Sequence, residues 1–178
     1  MNGISTKHTL NGHSIWLVPG EADLEVLERR MRDLAHRFSA PEFPPHITLW
    51  GQLEHPPEQL RSSCSELAAR PTISLKPTGV DGDNSLYRSL FLALPHAKEL
   101  IALRATLRQT LELGYQPYFP HLSLLYAELS ATQRQVLIHD LNLLQWPLLT
   151  IRALQLVHTA GSVKDWQMLD KFTLSGSE

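Results

Sequence analysis

The chain has 178 residues, a formal net charge of −2 and a hydrophobic fraction of 43%. That length fits one domain or two intimate lobes, and the apolar fraction supports a real core. Scattered Lys and Arg on a slightly acidic chain exclude any need for a polyanionic partner such as duplex DNA, and the lone Cys64 excludes an internal disulfide or a cysteine metal cluster. No apolar run approaches the ~20 residues of a membrane span and no signal peptide stands at the start, so the chain reads as soluble and cytoplasmic; a monomer is expected.

Residues 1–12 read as a frayed arm ending in the Asn11-Gly12 turn signal. Residues 14–18 form a short apolar run closed by Pro19-Gly20, which suits a buried strand. Leu24, Leu27, Met31, Leu34 and Phe38 then recur at helical spacing, with Glu21 and Asp23 in the first turn. Pro41, Pro44 and Pro45 stop this helix near Ser39 and lead into a strand over His46 to Leu53. Pro56-Pro57 opens a second helix, with Leu60, Cys64 and Leu67 inward, and Arg70-Pro71 closes it. Ile73, Leu75 and Val80 alternate as a strand, and residues 81–84 make a hairpin turn.

The second half repeats the order. A strand is predicted over Leu86 to Leu94, a helix over His96 to Leu113 stopped by Gly114, and a strand over His121 to Tyr126. Ser130 and Gln133 form a capping-box pattern before Val136, Leu137 and Leu141. Pro147 to His158 and Val163 to Leu174 complete the chain as strands.

The two halves match in detail. Phe43 to Gly51 reads Phe-Pro-Pro-His-Ile-Thr-Leu-Trp-Gly, and Tyr118 to Tyr126 reads Tyr-Phe-Pro-His-Leu-Ser-Leu-Leu-Tyr. One gapless offset of 75 residues pairs Ser14 with Ser89, Trp16 with Phe91, Pro45 with Pro120 and His46 with His121. A fixed internal period means one structural unit used twice. The alternation of strands and helices predicts an α+β domain of two lobes, each with helices on one face of a sheet; the first unit covers about 13–80 and the second about 86–174.

Residues i and i+2 of a strand share a face, so His46 goes with Thr48 and His121 with Ser123. Side by side, these strands present two imidazoles and two hydroxyls to one point. Imidazole both accepts and donates a proton near neutral pH, so the pair suits in-line displacement at phosphorus. The hydroxyls of Thr48 and Ser123 are placed for the non-bridging oxygens. The scheme calls for no metal or other cofactor. His36, His96 and His139 read as surface or cap residues, and His8, His13, His55 and His158 as structural or exposed. Tyr126, five residues after His121, turns away under strict alternation and reaches the site only where the strand ends or bulges. Phe43, Trp50, Tyr118 and Phe119 read as core or strand-flanking residues before base-stacking ones, and Arg88 as an exposed charge at a strand start before a substrate contact. Tyr126 beside His121 suggests that His121 activates water and His46 protonates the leaving oxygen.

The motifs Pro45-His46-Ile47-Thr48-Leu49 and Pro120-His121-Leu122-Ser123-Leu124-Leu125-Tyr126 resemble those of the two-histidine phosphoesterase superfamily. The opening Ser14 to Pro19 and the longer second motif are similar to its cyclic phosphodiesterase-like branch. The resemblance covers residues 14 to about 174. It implies a duplicated bilobal fold with two antiparallel sheets facing a central cleft and helices on the outer faces. It implies metal-independent opening of nucleoside 2′,3′-cyclic phosphates to 2′-phosphates, and hydrolysis of ADP-ribose 1″,2″-cyclic phosphate, a product of tRNA splicing metabolism. His46 and His121 are then the catalytic pair, Thr48 and Ser123 hold phosphate, and Tyr126 helps hold phosphate or water. The expected partner is a small cyclic-phosphate nucleotide before a long RNA. Two alternatives stand beside this: an RNA-end phosphodiesterase of the 2′-5′ RNA ligase kind, and a nucleotide-binding module without catalysis.

Overall fold

The computed structural model describes residues 10–175; the reading of residues 1–9, His8 included, lies outside them. Among the described residues, four helices and eight strands follow the predicted order. The first half holds β1 (His13–Pro19), α1 (Glu21–Phe38), β2 (Ile47–Leu53), α2 (Pro57–Ala68), β3 (Ile73–Leu75) and β4 (Gly79–Asp81). The second holds β5 (Leu90–Ala93), α3 (Lys98–Thr110), β6 (His121–Leu125), α4 (Ala131–Asn142), β7 (Leu149–His158) and β8 (Gln167–Thr173). Every strand pairing is antiparallel.

The strands run in the order β3-β7-β1-β2-β6-β5-β4, with β8 also on β7. The two expected sheets meet at β2 and β6 through one residue pair, Ile47 with Leu122, which joins them into a single curled sheet. Each unit lends its closing strands to the other. β4 ends the first unit but pairs with β5, and β7 near the end of the second unit pairs along all of β1. The helices cross over too: α1 packs on β6 and α3 on β2. The lobes are therefore tied by exchanged elements. Leu27, Met31 and Leu34 of α1, Leu60 and Leu67 of α2, and Leu100, Leu103 and Leu107 of α3 bury their side chains in one core with Ile15, Leu17, Ile47 and Leu122. Each such burial stabilises by roughly 1.5–3 kcal/mol.

Several boundaries differ from the sequence reading. Residues 86–88 form a 3₁₀ turn rather than the start of a strand, because the Asp83 side chain caps the amide of Ser85 and the Asp83 amide bonds back to Arg88. Helix α3 stops before Gly114; Leu111 caps it, and Glu112 takes the left-handed conformation that the glycine was expected to supply. Val80 is not continuous with Ile73 and Leu75 but belongs to β4 in the other lobe. The final strand begins at Gln167, after a second 3₁₀ turn over Val163–Asp165. Leu10 bridges to Gly161. Among the described residues no helix is long and apolar enough to cross a membrane.

The capping box forms as expected: Ser130 Oγ accepts from the amide of Gln133 at 3.2 Å, and the Gln133 side chain accepts from the amide of Ser130 at 2.9 Å. Ser130→Ala is expected to lower stability by about 1 kcal/mol in urea unfolding without altering the cleft; an unchanged midpoint would show that this cap carries no stability.

Candidate active site

His46 stands just ahead of β2, and His121 is the first residue of β6. Both flank the Ile47–Leu122 pair that joins the lobes. Antiparallel pairing there relates the two motifs by an approximate twofold, so the repeated side chains converge. A cleft of about 320 Å³ is lined by His46, Thr48, His121, Ser123 and Tyr126, all five residues singled out from sequence. The helices pack on the opposite face of the sheet.

Each imidazole is held in the same way. His46 Nδ1 lies 2.7 Å from the carbonyl oxygen of Pro44, and His121 Nδ1 lies 2.8 Å from that of Phe119. A carbonyl only accepts, so Nδ1 carries the proton in both rings and Nε2 is the exchangeable nitrogen. The intervening Pro45 and Pro120 keep the preceding residue extended, which fixes both carbonyls alike.

The environments differ. His46 is buried, with its ring stacked on Trp16 at 3.6 Å between centroids and edge-on to Phe43 at 6.2 Å. Burial lowers its pKa to about 4, against the opposing effect of the Pro44 carbonyl and helped by repulsion from His121. His121 is half-buried; desolvation lowers its pKa too, opposed by the Phe119 carbonyl, and the Arg88 cation lowers it further. Mutual repulsion means the pair holds one proton more readily than two.

Tyr126 reaches the cleft by a bulge. β1 residues Ile15 and Trp16 pair with Trp50 and Thr48, skipping Leu49; β5 residues Leu90 and Phe91 pair with Leu125 and Ser123, skipping Leu124. Leu49 and Leu124 are themselves 75 residues apart, so the bulge is duplicated with the motif. It reverses the alternation, turning Gly51 and Tyr126 to the cleft and Trp50 to the helices. There Trp50 and Tyr118 sandwich the guanidinium of Arg104, at 3.8 and 4.4 Å. The Tyr126 ring stacks on Phe43 at 3.7 Å, beside the first motif rather than the second. Burial raises its pKa, so its hydroxyl stays protonated, hydrogen-bonded to Ser123. Ser123 Oγ in turn donates to the Tyr87 carbonyl at 2.8 Å.

The chain's relatives share this plan. Residues 8–162 match the model of the 2′-5′ RNA ligase superfamily. The chain belongs to that superfamily, the two-histidine phosphoesterases. A cyclic phosphodiesterase of Arabidopsis thaliana is 27% identical over 129 residues, 69% of each chain. Escherichia coli LigT in complex with 3′-AMP superposes with a TM-score of 0.61 at 14% identity, covering 94% of this chain and 99% of that one. TT0787 of Thermus thermophilus gives a TM-score of 0.61 at 20% identity, with 94% and 100% covered. Membership places the chain among phosphoesterases, which are hydrolases.

Other residues of this phosphoesterase's cleft went unread or underrated. Arg88, taken for an exposed charge, lines the cleft and pairs with Asp83. Trp16, Tyr87 and Trp166 wall it with rings; Trp166 lies 5.6 Å from Trp16 and 6.3 Å from Tyr87. Trp166 follows the β7–β8 turn, far from either motif, so no local signal marks it. Its buried indole N–H has no partner among the described residues. Ser14, known only as the match of Ser89, bonds Thr159 through hydroxyls 2.9 Å apart at the cleft wall.

The buried His46 links pH to stability. An unfolded histidine titrates near 6.5, whereas burial pushes this one down to about 4. Between those values the unfolded chain binds the extra proton, so stability is full above about pH 6.5 and falls as pH drops towards 4. The loss is on the order of 2–3 kcal/mol. Urea unfolding at pH 7 and near pH 4.5 is expected to show a smaller acid loss for His46→Gln than for the wild type. Equal losses would contradict the assignment.

Proposed function

We propose that this phosphoesterase hydrolyses small cyclic phosphodiesters: nucleoside 2′,3′-cyclic phosphates to 2′-phosphates, and ADP-ribose 1″,2″-cyclic phosphate to ADP-ribose 1″-phosphate. The carrying observation is the pair of imidazoles whose Nδ1–H groups are tied to carbonyls, leaving both Nε2 atoms to the substrate. The name of the Arabidopsis relative and the 3′-AMP bound by LigT support a small nucleotide.

In the proposed reaction the phosphate lies between the two rings. His121 Nε2 takes a proton from water as the water oxygen bonds to phosphorus. The P–O3′ bond breaks, and His46 Nε2–H gives its proton to the departing oxygen. The product is a 2′-phosphate monoester, and exchange with solvent resets both rings. The half-exposed His121 meets water more readily, and Arg88 favours its neutral form. His46 is neutral in the empty cleft, but the substrate's anion stabilises the imidazolium, as does the Trp16 face on which the ring lies. Tyr126, stacked on Phe43 beside the first motif, does not single out His121 as the ring that holds water. Thr48 serves as a hydroxyl donor to the non-bridging oxygens, and Ser123 and the protonated Tyr126 join it when substrate draws their protons away from the Tyr87 carbonyl and the Ser123–Tyr126 bond.

Loss of either imidazole is expected to lower kcat by about 10²–10⁴-fold, and the double variant to be little worse than either single, because the groups act as a unit. A cyclic phosphodiester of an aromatic diol, with its better leaving oxygen, is expected to rescue His46→Ala and not His121→Ala. Rescue of His121→Ala instead would reverse the roles, and near-wild-type turnover by either single variant would end the scheme.

RNA ends are the second reading, favoured by the superfamily to which the chain belongs. A backbone-tracking site neutralises several phosphates and loses affinity steeply with salt. Arg88 is the only Lys or Arg among the described cleft-lining residues, and Asp83 already pairs with it. A mononucleotide cyclic phosphate is therefore expected to bind at least as tightly as an oligonucleotide with the same end, with a shallow salt slope. Much tighter oligonucleotide binding with a steep slope would favour the RNA reading.

A further inference from the structure

The two ends of the cleft are built from equivalent positions but are not alike. At one end the second motif places Tyr126, packed flat on Phe43 at 3.7 Å, with Tyr87 edge-on at 5.1 Å and Trp166 at 6.1 Å. That end is filled with rings. At the equivalent position the first motif has Gly51. A Cβ there would meet Ser14 Oγ at 3.5 Å and the Thr48 methyl at 3.7 Å, which is ordinary contact, so packing does not forbid a side chain at this position. Its backbone is not left-handed, so no conformational demand explains the glycine. The missing side chain is a gap in the cleft wall.

The surroundings of the gap are polar. The buried hydroxyls of Ser14 and Thr159 bond each other at 2.9 Å beside it. Gln52, next in the chain, is exposed, lines the cleft and has φ of 56°. A non-glycine residue in that region is strained by about 1–3 kcal/mol, a pattern found where a side chain is aimed for function. Its amide offers a donor and an acceptor together.

We propose that the Gly51 end of the cleft is the nucleoside subsite: the sugar and base of the substrate occupy the space that Tyr126 fills in the other half, over the Ser14–Thr159 hydroxyls and against Gln52. Gly51 thereby sets the size of the group attached to the phosphate. The inference rests on the cyclic-nucleotide reading above for its substrate class.

Binding tests it independently of turnover. Calorimetry with adenosine 2′-monophosphate and with inorganic phosphate separates the nucleoside from the anion. Gly51→Tyr, which copies the other half, is expected to weaken the nucleotide by at least about tenfold and leave phosphate within about twofold. Gly51→Ala, whose methyl makes ordinary contact with Ser14 and Thr48, keeps both. Gln52→Gly, which relieves the left-handed strain, folds at least as stably and loses several-fold in nucleotide affinity alone. The inference is overturned if the wild type binds the nucleotide no tighter than phosphate, or if Gly51→Tyr and Gln52→Gly leave the nucleotide's advantage unchanged. Selective loss of nucleotide binding in a protein that turns over no cyclic phosphate would keep the subsite and discard the proposed reaction.

Discussion

The cleft depends on one hydrogen bond made twice, from an imidazole Nδ1 to the carbonyl two residues before it. An imidazole without such a bond has two tautomers and free rotation about its side-chain torsions. Here the carbonyl removes both freedoms, leaving a single exchangeable nitrogen on each ring that lines the cleft. Proline makes the bond reproducible. Pro45 and Pro120 hold the preceding residue extended, so the carbonyls of Pro44 and Phe119 stand where the rings need them. The motif is thus a device for orienting histidine as much as for supplying it.

The rest of the fold keeps the two copies of that device at a fixed distance. One residue pair between β2 and β6 would be a weak hinge if nothing else joined the lobes. Exchange of β4 and β7, and the crossed packing of α1 and α3, oppose any opening with the whole core. Burial then shapes the chemistry. Burial strips hydration from His46, which makes it a poor cation in the empty cleft; in the proposed reaction an anionic substrate restores its proton. Charge on the pair is thereby tied to occupancy of the site.

Much of this was legible in the sequence, because the repeat displays itself at a constant offset. The converging histidines, their hydroxyl neighbours and the order of helices and strands follow from period and alternation. What was not legible depends on pairing. The duplicated bulges at Leu49 and Leu124 leave no composition signal, since both residues are ordinary buried leucines, yet they decide that Tyr126 faces the cleft and Trp50 the helices. Exchange of the closing strands is equally silent, because β4 and β7 would read the same in either lobe. Trp166 enters from a turn between strands whose place is set by that exchange. Arg88 was underrated because the 3₁₀ turn that aims it replaces a predicted strand.

The central claim is that both rings hold the Nδ1 proton and present Nε2 to a bound phosphate. Long-range ¹H–¹⁵N correlation spectra of the histidine side chains across pH measure it directly, with and without inorganic phosphate. The account predicts Nδ1–H tautomers for His46 and His121 at neutral pH, titration of both below 6.5 in the empty protein, and an upward shift of at least one when phosphate binds. An Nε2–H tautomer at either position, or titrations indifferent to phosphate, would contradict it.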